Sequence, residues 1–399
     1  MKQKQYLSAE EAAQALGISR ATLYAYVSRG MIYSEPAGEG TRVHRYDAED
    51  VRRLQRRQAQ REDPAAAAAQ ALHFGAPVLE SALTLIEEGR FYYRGKDVLR
   101  LAREATVEAV IALLWTGSRE PALAVGRGVF PPLLDKGKRA LPAITRFQAA
   151  LPLAAAADLE GYDLRPAAVV ETGRRILGLL VTVAAGVETG EGPPVARLRA
   201  GWRLPAKAEP LLRAILILCA DHELNVSTFA ARCVASAGGS PYQVVTAGLA
   251  ALEGQHHGGY TRRVEALWRE VDTPEAARSR LAGRLRRGET IPGFGHRLYP
   301  EGDPRARLLL EMVAAYAPEA PAVALAESLV RAAQDLVGER PVLDFALVAV
   351  SRVLALPADS ALTLFALGRT IGWIAHALEQ YEREELIRPR ARYVGPAID

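Results

Sequence analysis

Cysteine is nearly absent: the 399 residues contain two, Cys219 and Cys233. Both stand in apolar, helix-patterned surroundings. They read as small buried hydrophobes in a reducing compartment, and a disulfide framework is excluded. Neither sign of charge dominates. Lys and Arg total 50 against 46 Asp and Glu, a formal charge of +4, too weak alone to imply a nucleic-acid partner. The longest apolar run, residues 176–187, is shorter than the roughly 18 residues of a membrane span. Residues 1–5 have no apolar core behind them, so no signal peptide is expected and the expected location is cytoplasmic. No Gly-x-Gly-x-x-Gly, no P-loop and no alternating βαβ pattern occurs, which argues against a Rossmann dehydrogenase or an NTPase. His-Glu-x-x-His and Cys-x-x-Cys are also missing, so no metal site is expected.

What is present divides the chain. At 49% hydrophobic and 24% charged, the composition is that of a globular protein, and the length exceeds one typical domain. Residues 1–62 form a first unit. Ser8 and Glu11 make a capping box for a helix over 9–16, stopped by Gly17. Ser19 opens a second helix to residue 29. Two short helices joined by a Gly-containing turn are a helix-turn-helix, whose second helix carries Arg20, Thr22 and Tyr24. Residues 35–42 read as a small wing, and a third helix over 48–61 carries Arg52, Arg53, Arg56 and Arg57. The pattern Leu7-Ser8-x-x-Glu11-Ala12-Ala13-x-x-Leu16-Gly17-Ile18-Ser19-x-x-Thr22-Leu23-x-x-Tyr26-Val27 resembles the MerR and excisionase type of helix-turn-helix domain. The resemblance implies DNA binding through Arg20, Thr22 and Tyr24; a module that only aids assembly is the alternative. Glu10, Glu11, Glu35, Glu39 and Asp47 argue for modest affinity. An Ala-rich linker is expected over 63–71.

Residues 72–399 read as mostly α. A short hairpin with Gly89 in its turn comes first. Apolar residues then recur at three- and four-residue spacing over 97–105, 106–115, 140–157, 165–187 and 210–224, with Pro152 expected to kink or split the third.

Polar islands interrupt this apolar background. Ile291-Pro-Gly-Phe-Gly-His296 sets a histidine after a narrow turn, with Arg305 behind an Asp-Pro. A histidine and an arginine converging suit a small anion with a carbonyl; a capped surface loop is the other reading. Ala220-Asp-His222-Glu-Leu-Asn225 must be paired if buried, with His222 a core histidine or a ligand contact and Asn225 a helix cap. Gly254-Gln-His256-His257-Gly-Gly places at most one functional histidine before a helix start with exposed N–H groups. Asp344 is an N-cap or a general base. Arg369 stands alone in an apolar helix and needs a partner. Arg388 lies in a basic, proline-containing tail.

In order and spacing these islands resemble the citrate synthase family over residues 74–395: Ala-Asp-His-Glu-Leu-Asn-x-Ser-Thr-Phe, His-Gly-Gly, Pro-Gly-Phe-Gly-His-Arg-x-Tyr-x-x-x-Asp-Pro-Arg, Val-x-Asp-Phe, Gly-Arg-Thr-x-Gly-Trp-Ile-Ala-His and Ile-Arg-Pro-Arg. The resemblance implies a mostly α fold with large and small subdomains. It implies condensation of acetyl-CoA with oxaloacetate, with His257, His296 and Asp344 catalytic. His222, Arg305 and Arg369 would bind oxaloacetate, joined by Arg388 from the partner of a homodimer. Pro292, Gly293, Phe294 and Gly295 would lie near the coenzyme A, a co-substrate; no tightly bound cofactor is implied. Two departures touch the site's walls. Tyr260-Thr261-Arg262 stands where the family usually has Ala-Asn-Glu, and Ala346-Leu347 follows Asp344-Phe345. A carboxylate-sensing transcription regulator and a 2-methylcitrate synthase using propionyl-CoA are the rival readings.

Overall fold

The computed structural model describes residues 6–37, 43–52, 54–55, 79–126, 141–186, 192–391 and 393–396. The chain divides into two compact units, Met1–Glu80 and Ser81–Asp399. The linker expected over 63–71 lies outside the described residues.

In the first unit, Ser8 and Glu11 form the capping box that starts the helix Ala9–Leu16, and Gly17 ends it at φ 63°. Ser19 accepts from the Thr22 N–H and caps the helix Arg20–Ser28. The wing is a hairpin: Ser34–Pro36 pairs antiparallel with His44–Asp47. The other edge of His44–Asp47 takes Tyr6–Leu7, a strand too short for any periodicity to announce. Residues 48–52 and 54–55 are helical; the rest of the helix expected over 48–61 lies outside the described residues. Ala12, Leu16, Leu23, Ile32, Tyr46 and Val51 close a small separate core.

Among its described residues the second unit is helical apart from one small sheet. Thr84–Glu87 pairs with Arg90–Tyr93 across a turn in which Glu88 and Gly89 both have positive φ. Lys96–Asp97 adds a third strand, and Asp97 then caps the helix Val98–Glu104. Two expectations need correction. Of the kink or split expected at Pro152, the split does not occur: the helix Ala143–Ala157 continues through it. Phe147, Ala150 and Leu151 are buried on it, and their packing holds the helix together across the missing N–H. The helix expected over 210–224 is Glu209–Leu218. It stops early because Asp221 and His222 have tertiary partners, and Asn225 caps the next helix, Val226–Ser236.

The core is threaded by Ser360–Arg383. It is the one helix among the described residues long and apolar enough to cross a membrane, and its apolar stretch is wholly buried inside the fold. Helices Pro166–Ala185, Glu209–Leu218, Val226–Ser236 and Pro241–Leu252 pack on it. Glycine permits the closest approach. A Cβ at Gly372 would lie 2.8 Å from Asp221 Oδ1 and would overlap the Ala220 carbonyl.

Gly372→Ala should therefore destabilise the protein by at least about 1–3 kcal/mol, because the obstacle is backbone. Gly283→Ala, half-buried in the helix Ala277–Arg286 with the Arg287 guanidinium 3.7 Å from the new Cβ, should be neutral or stabilising. Thermal melts of the two variants check the contrast; equal melting temperatures would refute it.

Candidate active site

Four segments of the second unit converge. The first follows the helix Glu209–Leu218. The Tyr93 hydroxyl accepts from the Asp221 N–H at 2.9 Å and reaches the Ile217 carbonyl at 2.9 Å. Asp221 accepts from Thr84 Oγ1 at 2.5 Å and faces His376 Nε2 at 3.2 Å. His376 Nδ1 lies 3.1 Å from Arg232 Nη1, which also pairs with Glu379 at 3.0 Å. Arginine only donates, so His376 accepts at Nδ1 and carries its proton on Nε2, on the side of Asp221. This buried network fixes the backbone that carries His222. The His222 Nε2 lies 2.9 Å from the Tyr299 hydroxyl.

The second segment is the turn before His296. Gly293 and Gly295 adopt φ of 91° and 80°, which a Cβ would resist. Two backbone bonds tie the turn to residues 340–342: Val342 N–H to Gly293 O at 2.9 Å, and Gly295 N–H to Arg340 O at 3.0 Å. The Leu298 N–H donates to His296 Nδ1 at 3.1 Å, leaving the proton on Nε2. The His296 ring lies 5.8 Å from the His222 ring. Asp303 then caps the helix Pro304–Tyr316 and grips Arg305 at 2.9 and 2.8 Å, while also accepting from the Leu343 N–H at 3.0 Å. The Arg305 guanidinium lies near the rings of Phe91 and Tyr299.

The third segment holds the two adjacent histidines. His256 is exposed and His257 half-buried, so one of the pair faces inward. His257 Nε2 lies 2.8 Å from Ser227 Oγ, which accepts from Trp373 Nε1 at 3.3 Å and reaches Asn225 Oδ1 at 2.8 Å. The expected helix start with exposed N–H groups is not found. The N–H groups of Tyr260, Thr261 and Arg262 bond the carbonyls of His257, Gly258 and Gly259, so a preceding turn consumes the donors.

The fourth segment is the helix Leu343–Val353. Val342 occupies its N-cap position and Asp344 lies within the first turn, so Asp344 is not the cap. Its Oδ1 is buried without a hydrogen-bond partner among the described residues. Burial pushes the Asp344 carboxyl up to about 7, against the pull of Arg305. Arg369, on Ser360–Arg383, donates from Nε to the Cys219 carbonyl at 2.8 Å. Its Nη1 is buried and unpartnered among the described residues.

The electrostatics follow from burial among cations. His257 falls to about 3 through burial and then Arg369. His296 falls to about 4 through burial and then Arg305. His222 lies well below the ordinary range, through burial and the charges of Arg305, Arg369, His296 and His257. At neutral pH the cluster thus holds three uncharged imidazoles, two guanidiniums and one carboxyl near its own midpoint. Such a site can bind a small polyanion, polarise a carbonyl and take up a proton.

His222, His257, His296, Arg305, Asp344 and Arg369 come together. Pro292, Gly293 and Phe294 are buried beside them and Gly295 is exposed. Arg388 is exposed in the single chain, so this chain alone does not bring it to the cluster. Ser227, Asp303 and Tyr299 were not singled out as site groups. Asp303 stood beside Arg305 in sequence, but a short Asp-Pro reads as a cap first. Among the described residues no group of three His, Cys, Asp or Glu is placed to hold a metal. In the first unit, Arg20 pairs with Glu10 at 2.9 Å, the Thr22 hydroxyl lies 2.9 Å from that of Ser19, and Tyr24 is 54% exposed.

Asp344 makes stability depend on pH. An unfolded Asp titrates near about 3.9, whereas the folded group titrates at about 7. The folded state holds this proton more tightly, so its contribution is full below about pH 4 and is lost as pH rises through 7, by at most roughly 4 kcal/mol. Asp344→Asn keeps the position neutral. Its stability relative to wild type should climb between pH 4 and 7 and then level. Denaturant melts across that window check it; a difference independent of pH would refute it.

The family profile "Citrate synthase, C-terminal domain" matches residues 194–390, and "Helix-turn-helix domain" matches residues 6–59. The citrate synthase of Haloferax volcanii is 32% identical over 367 residues, covering 80% of this chain and 94% of its own. A 2-methylcitrate synthase of Corynebacterium glutamicum is 37% identical over 183 residues, covering 45% of this chain and 48% of its own. Among solved structures, the citrate synthase of Thermoplasma acidophilum, in a ternary complex with carboxymethyl coenzyme A and oxaloacetate, superposes with a TM-score of 0.74 at 26% identity, covering 81% of this chain and 95% of that one. This chain belongs to the citrate synthase family of acyltransferases, and it carries a helix-turn-helix domain at its N-terminal end.

Proposed function

We propose that the protein condenses acetyl-CoA with oxaloacetate to give citrate and coenzyme A. The observation that carries this reading is Asp344: a buried carboxyl, unpartnered at Oδ1 and titrating near neutrality, among three neutral imidazoles and two guanidiniums. Arg305 and Arg369, with His222, hold the oxaloacetate carboxylates, and Arg388 of the partner subunit in a homodimer completes the clamp. His296 Nε2–H donates to the ketone oxygen.

The α-proton of a thioester is weakly acidic, so its removal needs a base and an oxyanion donor acting together. Asp344 takes a proton from the acetyl methyl while His257 donates to the thioester oxygen through Nδ1–H. That tautomer requires Nε2 to accept, and the group facing it is the Ser227 hydroxyl. Ser227 has one proton and two acceptors, Asn225 Oδ1 and His257 Nε2. Engaging the thioester shifts that proton toward His257. The enolate carbon then bonds to the ketone carbon, the carbonyl electrons move onto oxygen, and His296 supplies the proton to the alkoxide. Water cleaves the citryl thioester, releasing citrate and the free thiol. The two substrates must be held face to face with bulk water excluded, which favours closure over the bound keto acid.

Release of free thiol from acetyl-CoA, with and without oxaloacetate, tests the reading. Asp344→Ala should lower turnover by about 10²–10⁴-fold, the usual worth of a positioned base, while oxaloacetate affinity changes less than about two-fold. No thiol release by the wild type with any short acyl-CoA would overturn the condensation. Faster turnover of propionyl-CoA would favour 2-methylcitrate formation, the reading supported by the Corynebacterium relative.

The helix-turn-helix unit favours a second role, in which a cytoplasmic, DNA-bound protein senses the carboxylate. Weak binding that falls steeply with salt is expected, since phosphate contacts dominate affinity. Gel shifts of the full chain on the DNA upstream of its own gene should lose the band in Arg20→Ala/Tyr24→Ala, with thiol release unchanged. Absence of a shift at low salt would assign the unit to assembly instead.

A further inference from the structure

Tyr260 stands three residues after His257, at one of the positions where the sequence leaves the family pattern. It opens the helix Tyr260–Val271, and its N–H bonds the His257 carbonyl at 2.8 Å. Its hydroxyl accepts the Gly293 N–H at 3.3 Å. One turn further along, Val264 touches the same glycine: a Cβ built on Gly293 would lie 3.1 Å from Val264 Cγ2 and 3.1 Å from Phe345 Cβ. Gly293 is thus wedged between the helix that follows His257 and the helix that carries Asp344. Phe294 packs on Phe345 with ring centroids 4.9 Å apart, which presses the turn further onto the Asp344 helix.

The two sides of this turn are held differently. Toward Asp344, two backbone hydrogen bonds join it to residues 340–342. Toward His257, the hydroxyl of Tyr260 is the polar tie, beside the van der Waals contact with Val264. A shorter side chain at 260 could not reach Gly293.

We propose that Tyr260 is a positioning residue for the acyl-CoA half of the site: its hydroxyl sets the spacing between His257 and the turn that borders Asp344, and so governs affinity for the CoA thioester and the preference for a short acyl group. This rests on the condensation proposed above, in which His257 and Asp344 act on the thioester alone. The keto acid lies among His222, His296, Arg305 and Arg369, none of which the tie touches, and the bond from the Gly295 N–H to the Arg340 carbonyl still holds the turn between Gly293 and His296, so its binding depends on Tyr260 far less than binding of the thioester does. Losing the hydroxyl leaves a buried N–H unpaired and frees the turn on one side.

Two variants separate the hydroxyl from the ring. Tyr260→Phe should raise KM for acetyl-CoA about five-fold, the loss of one ordinary hydrogen bond. It should leave KM for oxaloacetate within about two-fold and shift the kcat/KM ratio toward propionyl-CoA. In the same variant the Gly293 amide should exchange with solvent faster, while amides of the helix Ser360–Arg383 do not. Tyr260→Ala should show the same pattern, with a lower melting temperature as well. The proposal is overturned if Tyr260→Phe matches wild type in KM and exchange, if only Tyr260→Ala has an effect, or if both substrates' KM values move together. Should the wild type release no thiol, the condensation falls. The tie is then read from Gly293 exchange and from coenzyme A affinity by calorimetry, where a Tyr260→Phe indistinguishable from wild type sinks it separately.

Discussion

The Asp303–Arg305 pair holds the site's segments in register. Asp303 accepts from the Arg305 N–H, from two guanidinium nitrogens and from the Leu343 N–H, with both side chains almost fully buried. One carboxylate therefore joins the loop after His296, the helix Pro304–Tyr316 and the start of the Asp344 helix. Burial opposes its ionisation, but the adjacent guanidinium keeps it below the ordinary carboxylate range. Removing either partner would strand a buried charge, a far larger penalty than the net worth of the pair. The same bidentate grip uses Nε and Nη2 of Arg305, which leaves Nη1 for a ligand.

Around that pair the site is short of negative charge. Among the described residues Arg369 donates to the Cys219 carbonyl and lies over the Phe365 ring, and Asp221 supplies compensating charge from across the segment that carries His222. Burial, and then the charges of Arg305 and Arg369, depress the three histidines, and the same two cations oppose the rise of Asp344. A small polycarboxylate would supply the missing charge. It would also stabilise the ionised guanidiniums and favour uncharged imidazoles less strongly. Binding and the readiness of Asp344 to take a proton are thus electrostatically linked. The network of Asp221, His376, Arg232 and Glu379 keeps the His222 backbone fixed while those charges change.

Close packing supplies the remaining constraint. Gly372 brings the long helix Ser360–Arg383 against the backbone of Ala220 and Asp221. Arg369, Trp373 and His376 project from that one helix toward three different polar groups: the Cys219 carbonyl, the Ser227 hydroxyl and the Asp221 carboxylate. A single rigid element thereby sets the positions of both the His222 segment and the Ser227 support of His257. The helix is buried from Ser360 to Leu378, so these polar side chains have no solvent to turn to and must meet such partners.

By itself the sequence determined the elements whose cause is local. Capping chemistry at Ser8, Ser19 and Asn225 and periodic apolar spacing are written in neighbouring residues, and the helices form where those signals stand. The six polar islands were equally legible, since dense polar groups in an apolar chain require partners. What they partner was not legible, because the partners are far away in sequence. Asp221 meets His376, Arg369 meets the Cys219 carbonyl, and His257 meets Ser227 across 155, 150 and 30 positions. The Asp221 pairing ended the Glu209–Leu218 helix early. Of the two readings of Asp344, cap or base, packing removed the cap by burying the carboxyl within the first turn of its helix. Local propensity decides which segments are helical. Burial decides which polar groups keep their charge, and only the packed structure sets burial.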